Sequence, residues 1–325
     1  MDKVALPAGV SLPQTLLAVS DEFDQRIREG RLSTYSPVPT GFEPLDTVLG
    51  GGLQAGALVL IGGQQGVGKT IFVVQAARNI AVSGSAVAVV VCYEHGSNYL
   101  YHRVLCMESI DPAEREPEGL TIEEIRQVVI QSTTGRPGAL SGLHAILKES
   151  AAARTAWDRL VTYWERFLIT RGHPLKTTVK VFDTYLAWLK ERYEVVVLFV
   201  DYLQKVPVFV HGSMLEGDQK ITAVTEELKN LAQLYDVPIV AVSALELEGL
   251  KVKHPGVEHL WGGPTIKYEC DVALLLVRKG NGMVTFSVGK NRLGPQFVEC
   301  DFRLHGPYYC FDPQGTDLRE VAPGG

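Results

Sequence analysis

The sequence predicts an α/β fold: a mainly parallel sheet with helices on both faces, finished by antiparallel strands and carrying a helical insertion. Three observations predict it. From residue 57 onward, apolar β-branched runs alternate with segments of helical spacing. The run ALVLIGG (57–63) leads directly into GQQGVGKT (63–70), a phosphate-binding pattern that belongs between a strand and a helix. Near the end, GNG (280–282) separates two strand-like runs, which marks a tight hairpin and an antiparallel pair.

The elements follow in order. Residues 14–30 place Leu16, Leu17, Val19, Phe23 and Ile27 on one face of an amphipathic helix that Gly30 stops. RLSTYSPVPT (31–40), with two prolines and several hydroxyls, reads as a linker. Residues 1–36 are therefore expected to be a helical arm and linker, and residues 37–325 the core. Such an arm has little of its own chain to pack against; docking on a neighbouring subunit and docking on its own core both stay open. ALVLIGG is a buried strand, KTIFVVQAARNIAVSG (69–84) a helix and AVAVVVCYE (86–94) the next strand. VVVLFVDYL (195–203), the helix KITAVTEELKNLAQLY (220–235) and VPIVAVSAL (237–245) continue the alternation. DVALLLVRK (271–279) and MVTFSVGKN (283–291) flank the hairpin turn, and FVECDFRL (297–304) is a last strand. Residues 108–180 read as mostly helical material, broken by TTGRPG and inserted beside the sheet. There is no internal repeat.

Bulk properties narrow the function classes. A chain of 325 residues with 46% hydrophobic content can bury one large α/β core or two small ones. The net charge of -6 gives no overall basic field, so any nucleic-acid contact must be a local stripe. The five cysteines (Cys92, Cys106, Cys270, Cys300, Cys310) include no C-x-x-C pair, which supports neither a zinc site nor a disulfide framework and fits reduced thiols in the cytoplasm. The start, MDKVALPAGVSLPQTL, lacks the apolar core of a signal peptide. Runs such as AVAVVVCY fall far short of the ~20 residues that span a bilayer. The expectation is a cytoplasmic protein without a membrane segment.

The chemistry concentrates in a few positions. Gly63, Gln64, Gln65, Gly66, Val67, Gly68, Lys69 and Thr70 fit G-x-x-x-x-G-K-[ST] completely. Glycines let backbone N–H groups wrap phosphates at a helix N-terminus, whose partial positive charge favours anions. Lys69 is the candidate for the β- and γ-phosphates of ATP, and the Thr70 hydroxyl for Mg²⁺. A dinucleotide fold is set aside because no G-x-G-x-x-G opens the helix. Asp201 ends the apolar run VVVLFVD; a carboxylate at a buried strand tip needs a cation, here Mg²⁺ and its waters, with a simple helix cap as the competing reading. Glu94 ends VAVVVCYE, where it can orient a water toward the γ-phosphate; a surface carboxylate of no consequence competes with that role.

With these pieces in place, the chain resembles the RecA-fold ATPases, and among them the DnaB-type helicase motor and its relative RadA. TGFEPLDTVLGGGLQAGALVLIGGQQGVGKT (40–70) is similar to the opening of both, and VVVCYEHGSNYLYHR (89–103) to their strand with a catalytic Glu followed by a helix with an Arg, here Arg103. LFVDYLQ (198–204) and ELKNLAQLYDVPIVAVSAL (227–245) resemble DnaB in particular, and KNRLGP (290–295) resembles a basic turn of both. The resemblance implies a RecA-like core and makes Lys290 and Arg292 contacts to the ATP of a neighbouring subunit. A guanidinium at a γ-phosphate is worth orders of magnitude in rate, and supplying it in trans makes hydrolysis depend on assembly. Two exposed basic residues on a hairpin are the alternative.

Departures from the family bear on function. The family usually carries Gln after the serine of the VSAL strand, where this chain has Ala244; apolar Ala cannot sense a phosphate, so coupling falls to another residue, such as Ser243, or is weakened. The loops expected to face a pore, 205–219 and 246–264, are weakly basic; Lys251, Lys253 and, just beyond them, Lys267 are candidate DNA contacts, with ordinary solvated lysines as the competing reading. The expected function is an ATP-hydrolysing, Mg²⁺-dependent homo-oligomer, a hexamer with shared ATP sites, acting on single-stranded DNA in replication, recombination or plasmid and phage processes. The alternatives are a nucleotide-dependent assembly or regulatory ATPase that moves no strand, and a protein that ATP merely locks into an oligomer.

Overall fold

Runs of Val, Leu and Ile with no polar face are satisfied only where a sheet is covered on both sides. The computed structural model describes residues 12–30, 32–134, 150–252 and 254–321, and it buries these runs in one large sheet. Strands β1 (Leu58–Gly63), β2 (Val87–Cys92), β3 (Phe167–Arg171), β4 (Val196–Asp201), β7 (Ile239–Val242) and β8 (Val272–Gly280) run parallel, and β9 (Met283–Asn291) and β10 (Val298–His305) continue antiparallel. With β11 (Cys310–Phe311) at one edge, the order across the sheet is β11-β10-β9-β8-β1-β7-β4-β2-β3, and β12 (Thr316–Glu320) pairs with β10. The α/β architecture expected from sequence is present, with its antiparallel finish.

Helices cover both faces. On one side lie α3 (Lys69–Ser83), α4 (Ser97–Glu108), α5 (Ile122–Thr134) and α6 (Ala151–Leu160); α1 (Leu16–Arg28) and the short α2 (Leu45–Val48) precede them in the chain. On the other lie α7 (Val179–Lys190), α8 (Gly217–Tyr235) and α9 (Gly263–Glu269). The first core is rich in rings: Phe42, Phe72, Phe286, Phe302 and Phe311 are all buried, with the Phe286 and Phe302 centroids 4.5 Å apart. No helix among the described residues is long and apolar enough to cross a membrane.

Two parts of the fold depart from the sequence expectation. β3 lies inside the stretch expected to be helical, pairing parallel with β2 from Ala88↔Phe167 to Cys92↔Arg171. FLITR is five residues long and only its first is fully buried, so it has no periodicity that separates it from the preceding helical pattern. Most of the TTGRPG break, with the rest of 135–149, lies outside the described residues. The 205–219 loop contains a small hairpin, β5 (Phe209–Val210) and β6 (Ser213–Met214), whose Phe209, Val210 and Met214 are exposed.

Candidate active site

The phosphate loop occupies the C-terminal end of β1, flanked by β8 and β7, where the crevices of parallel sheets hold their ligands. Its glycines are needed for two reasons. Gly63, Gly66 and Gly68 have φ of 146°, 74° and 111°, a region that disfavours side chains. A Cβ on Gly63 would also sit 2.5 Å from the Leu276 carbonyl oxygen, and one on Gly68 2.7 Å from Phe311 Cζ. Lys69 begins α3 and curls back over the loop, Nζ donating to the carbonyls of Gly63 (2.7 Å) and Gln64 (2.8 Å). Burial lowers the pKa of this ammonium, opposed by the charges of Asp201 and Glu94.

Thr70 and Asp201 meet across the sheet: the Thr70 hydroxyl donates to Asp201 Oδ2 at 2.8 Å. Asp201 is only 1% exposed. Burial raises its pKa; the Thr70 hydrogen bond opposes that shift and the charge of Glu94 adds to it. Asp201 pairs with Cys92 in the β2/β4 register, and the Tyr93 N–H donates to its carbonyl at 2.7 Å. Glu94 therefore stands just beyond the tip of β2, exposed toward a cleft of about 610 Å³ that Lys69, Thr70, Asp201 and Ala244 also line. This donor set fits a nucleoside triphosphate with a divalent cation: a glycine cradle at a helix N-terminus, an ammonium, and a hydroxyl–carboxylate pair one residue further along.

Lys290 and Arg292 lie elsewhere. Lys290 Nζ donates to the carbonyls of Lys267 and Cys270, and Arg292 donates to Asp271 Oδ1 (3.2 Å) and to the Tyr268 carbonyl. These partners surround the start of β8, and Asp271 bonds the N–H of Leu58 at the start of β1. From Leu58 to Gly63 is five residues, roughly 16 Å along a strand rising ~3.3 Å per residue. The pair thus sits at the opposite end of the sheet from the phosphate loop of its own chain.

Several residues around the cleft were not legible as a group in sequence. Arg278 on β8 donates to the Gly66 carbonyl at 2.8 Å, bracing the phosphate loop. The Arg103 guanidinium is stacked between Tyr99 (4.6 Å) and Tyr309 (4.7 Å) and meets His95 Nε2 at 3.2 Å. Burial, and then the Arg103 charge, lower the His95 pKa. Arg103 could be found from its family motif, but Tyr309 carries no local signal. Gln204 is buried and spans to β7, donating to Ser243 Oγ (2.9 Å) and accepting the Ala244 N–H (3.1 Å). The Ser243 hydroxyl is fully buried in that contact, so it does not face the cleft beside Ala244. Of the candidate DNA contacts, Lys251 and Lys267 are exposed, and Lys253 lies outside the described residues.

Comparison with known proteins agrees with this geometry. The family described as DnaB-like helicase C terminal domain matches residues 37–311. The replicative DNA helicase DnaC of Bacillus subtilis (strain 168) is 22% identical over 299 residues, covering 88% of this chain and 58% of its own length. The replicative DNA helicase DnaB of Leifsonia xyli subsp. xyli (strain CTCB07) is 25% identical over 298 residues, with the same coverage of 88% and 58%. The chain thus spans little more than half the length of these relatives. Among solved structures, one described as an ATPase domain superposes with a TM-score of 0.72 at 17% identity, covering 92% of this chain and 99% of that one. A DnaB-like replicative helicase, studied with its interactions with primase, superposes with a TM-score of 0.66 at 17% identity, covering 95% and 68%. At that identity the likeness establishes the shared fold.

Proposed function

We propose, from the premise that this chain belongs to the DnaB-like helicase C-terminal domain family, that it is an ATP-hydrolysing motor acting on DNA in the cytoplasm as a homo-hexamer with shared ATP sites. In this reading the loop from Gly63 to Gly68, with Gln64, Gln65 and Val67, wraps the phosphates through backbone N–H groups. Lys69 leaves its own loop carbonyls to hold the β- and γ-phosphates. Thr70 and Asp201 hold Mg²⁺ and its waters; the ion, when bound, neutralises charge on the phosphates. Glu94, exposed at the strand tip, orients the attacking water. Lys290 and Arg292 reach the γ-phosphate on the next subunit, where positive charge stabilises the transition state.

The observation that carries the shared-site reading is the position of Lys290 and Arg292 at the far end of β8 from their own phosphate loop. Two cations so placed serve a nucleotide only if it belongs to another copy. The arm supports assembly too: Leu16 and Leu17 on α1 are 88% and 71% exposed, an apolar stripe that needs a cover.

A second reading, an assembly or regulatory ATPase that moves no strand, draws on Ala244 lining the cleft where the family usually has Gln. The replicative helicases to which the chain is similar favour the motor. ATPase rate measured against protein concentration, with and without single-stranded DNA, tests both. A rate that rises steeply with concentration and further with DNA is expected, and Arg292→Ala should lower kcat by about 10³-fold or more. Concentration dependence without DNA stimulation would support the second reading. Normal hydrolysis by Arg292→Ala at every concentration would remove the finger role.

A further inference from the structure

Asp271 stands buried at the foot of β8, and its two carboxylate oxygens are used differently. Oδ2 accepts from Lys229 Nζ and from the Leu58 N–H, both at 2.7 Å, while Oδ1 accepts from Arg292 Nη1 at 3.2 Å. The backbone doubles both links: the Asp271 N–H donates to the Leu58 carbonyl and the Arg292 N–H to the Asp271 carbonyl, each at 2.9 Å. A buried carboxylate needs a cation, and Lys229, itself buried on α8 and bonded to the Gly56 carbonyl, meets that need. Arg292 is therefore not required to neutralise Asp271. Instead, Oδ2 is pinned by two donors, which leaves Oδ1 as a fixed acceptor for the guanidinium of a side chain that is 47% exposed. The other guanidinium end bonds the Tyr268 carbonyl, so the group is gripped at two points with part of its surface facing out.

We propose that Asp271 is a positioning residue for the trans-acting arginine: anchored by Lys229 and by the first N–H of the phosphate-loop strand, it aims Arg292 at the neighbouring subunit's γ-phosphate. This rests on the shared-site reading above. An unheld arginine samples many rotamers, and misplacement of a catalytic group by about 1 Å costs on the order of a hundredfold in rate. The same carboxylate is bonded to the strand that ends in its own subunit's phosphate loop, so it joins the root of one ATP site to the finger of the next.

Subunit mixing tests this. Lys69→Ala subunits offer a finger but no working nucleotide site, and Arg292→Ala subunits a site but no finger; mixed, they should recover ATPase activity. Asp271→Asn alone should lower kcat about tenfold with KM changed less than about twofold. It should recover activity when mixed with Lys69→Ala and gain nothing with Arg292→Ala, because its own site is sound and its finger is not. Lys229→Gln, which loosens one anchor and keeps the carboxylate, should show the same pattern more weakly and serves if Asp271→Asn does not fold. Recovery with Arg292→Ala but not with Lys69→Ala would assign Asp271 to its own strand and overturn the proposal, as would an unchanged or raised kcat, leaving the shared site intact. Failure of Lys69→Ala and Arg292→Ala to complement each other would remove the shared site itself, and this proposal with it.

Discussion

At Asp201 the fold holds a carboxylate almost free of solvent, with burial raising its pKa and the hydrogen bonds of Thr70 and Cys92 and the charge of Lys69 opposing the shift. The sign of the consequence follows from linkage. Because the folded pKa lies above the unfolded value, the folded protein binds this proton more tightly. The resulting stability is fully present below the unfolded pKa and is lost as pH rises through the folded one. Asp201→Asn should therefore stabilise the nucleotide-free protein relative to the parent as pH rises through that window, while abolishing Mg²⁺-dependent hydrolysis. Thermal denaturation of both proteins across a pH series reads this; parallel curves would show that the carboxylate's burial is not resisted. Asp201 was legible in sequence because an acid closing an apolar run is conspicuous. Its contact with Thr70 was not, since the two are separated by 131 positions.

Helix α1 illustrates what periodicity can and cannot say. Its face of Leu16, Leu17, Val19, Phe23 and Ile27 was readable from spacing, and its ends match the expected stops within two residues. Thr15 caps it, accepting the Ala18 N–H at 3.2 Å. Its apolar side chains nevertheless remain exposed, and the Phe23 ring meets the linker ring of Tyr35 edge-on at 4.9 Å. A 13-residue helix is marginal without tertiary support, so an outside surface is expected to complete it. Removing residues 1–36, or substituting Leu16 and Leu17 by Asp, should shift the assembly toward monomers in sedimentation velocity while the core stays folded. An unchanged oligomer would mean that the arm covers something else. β3 shows the converse case: a short, half-covered edge strand has too little pattern to be found, and its pairing with β2 defines it.

At the scale of the molecule, five phenylalanines tie the two ends of the chain to the phosphate-loop helix. Phe286 of β9 lies 5.2 Å from Phe72 of α3, 5.3 Å from Phe311 and 6.1 Å from Phe42. Phe311 in turn occupies the space that keeps Gly68 a glycine. Phe286→Ala should lower unfolding free energy by ~3–5 kcal/mol in a denaturant titration; a loss below ~1 kcal/mol would mean that the cluster collapses around the gap and does not act as a rigid tie. Every ring was visible in the sequence, but their convergence from residues 42 to 311 depends on β9 returning antiparallel against β8 and β10 antiparallel against β9.

The sequence by itself determined what is contiguous: the phosphate loop with the strand before it and the helix after it, the acids closing two apolar runs, and the basic turn at 290–295. Those are local because backbone geometry and side-chain period act over a few residues. Only the tertiary structure decided which of these meet. The strand order β8-β1-β7-β4-β2 brings Lys69, Thr70, Asp201 and Glu94 to one cleft and adds Arg278, Arg103 and Tyr309 around it. The same order sends Lys290 and Arg292 to the opposite end of the sheet, onto Asp271. Strand order is set by how whole faces bury against one another, a long-range free energy that no short window of sequence contains.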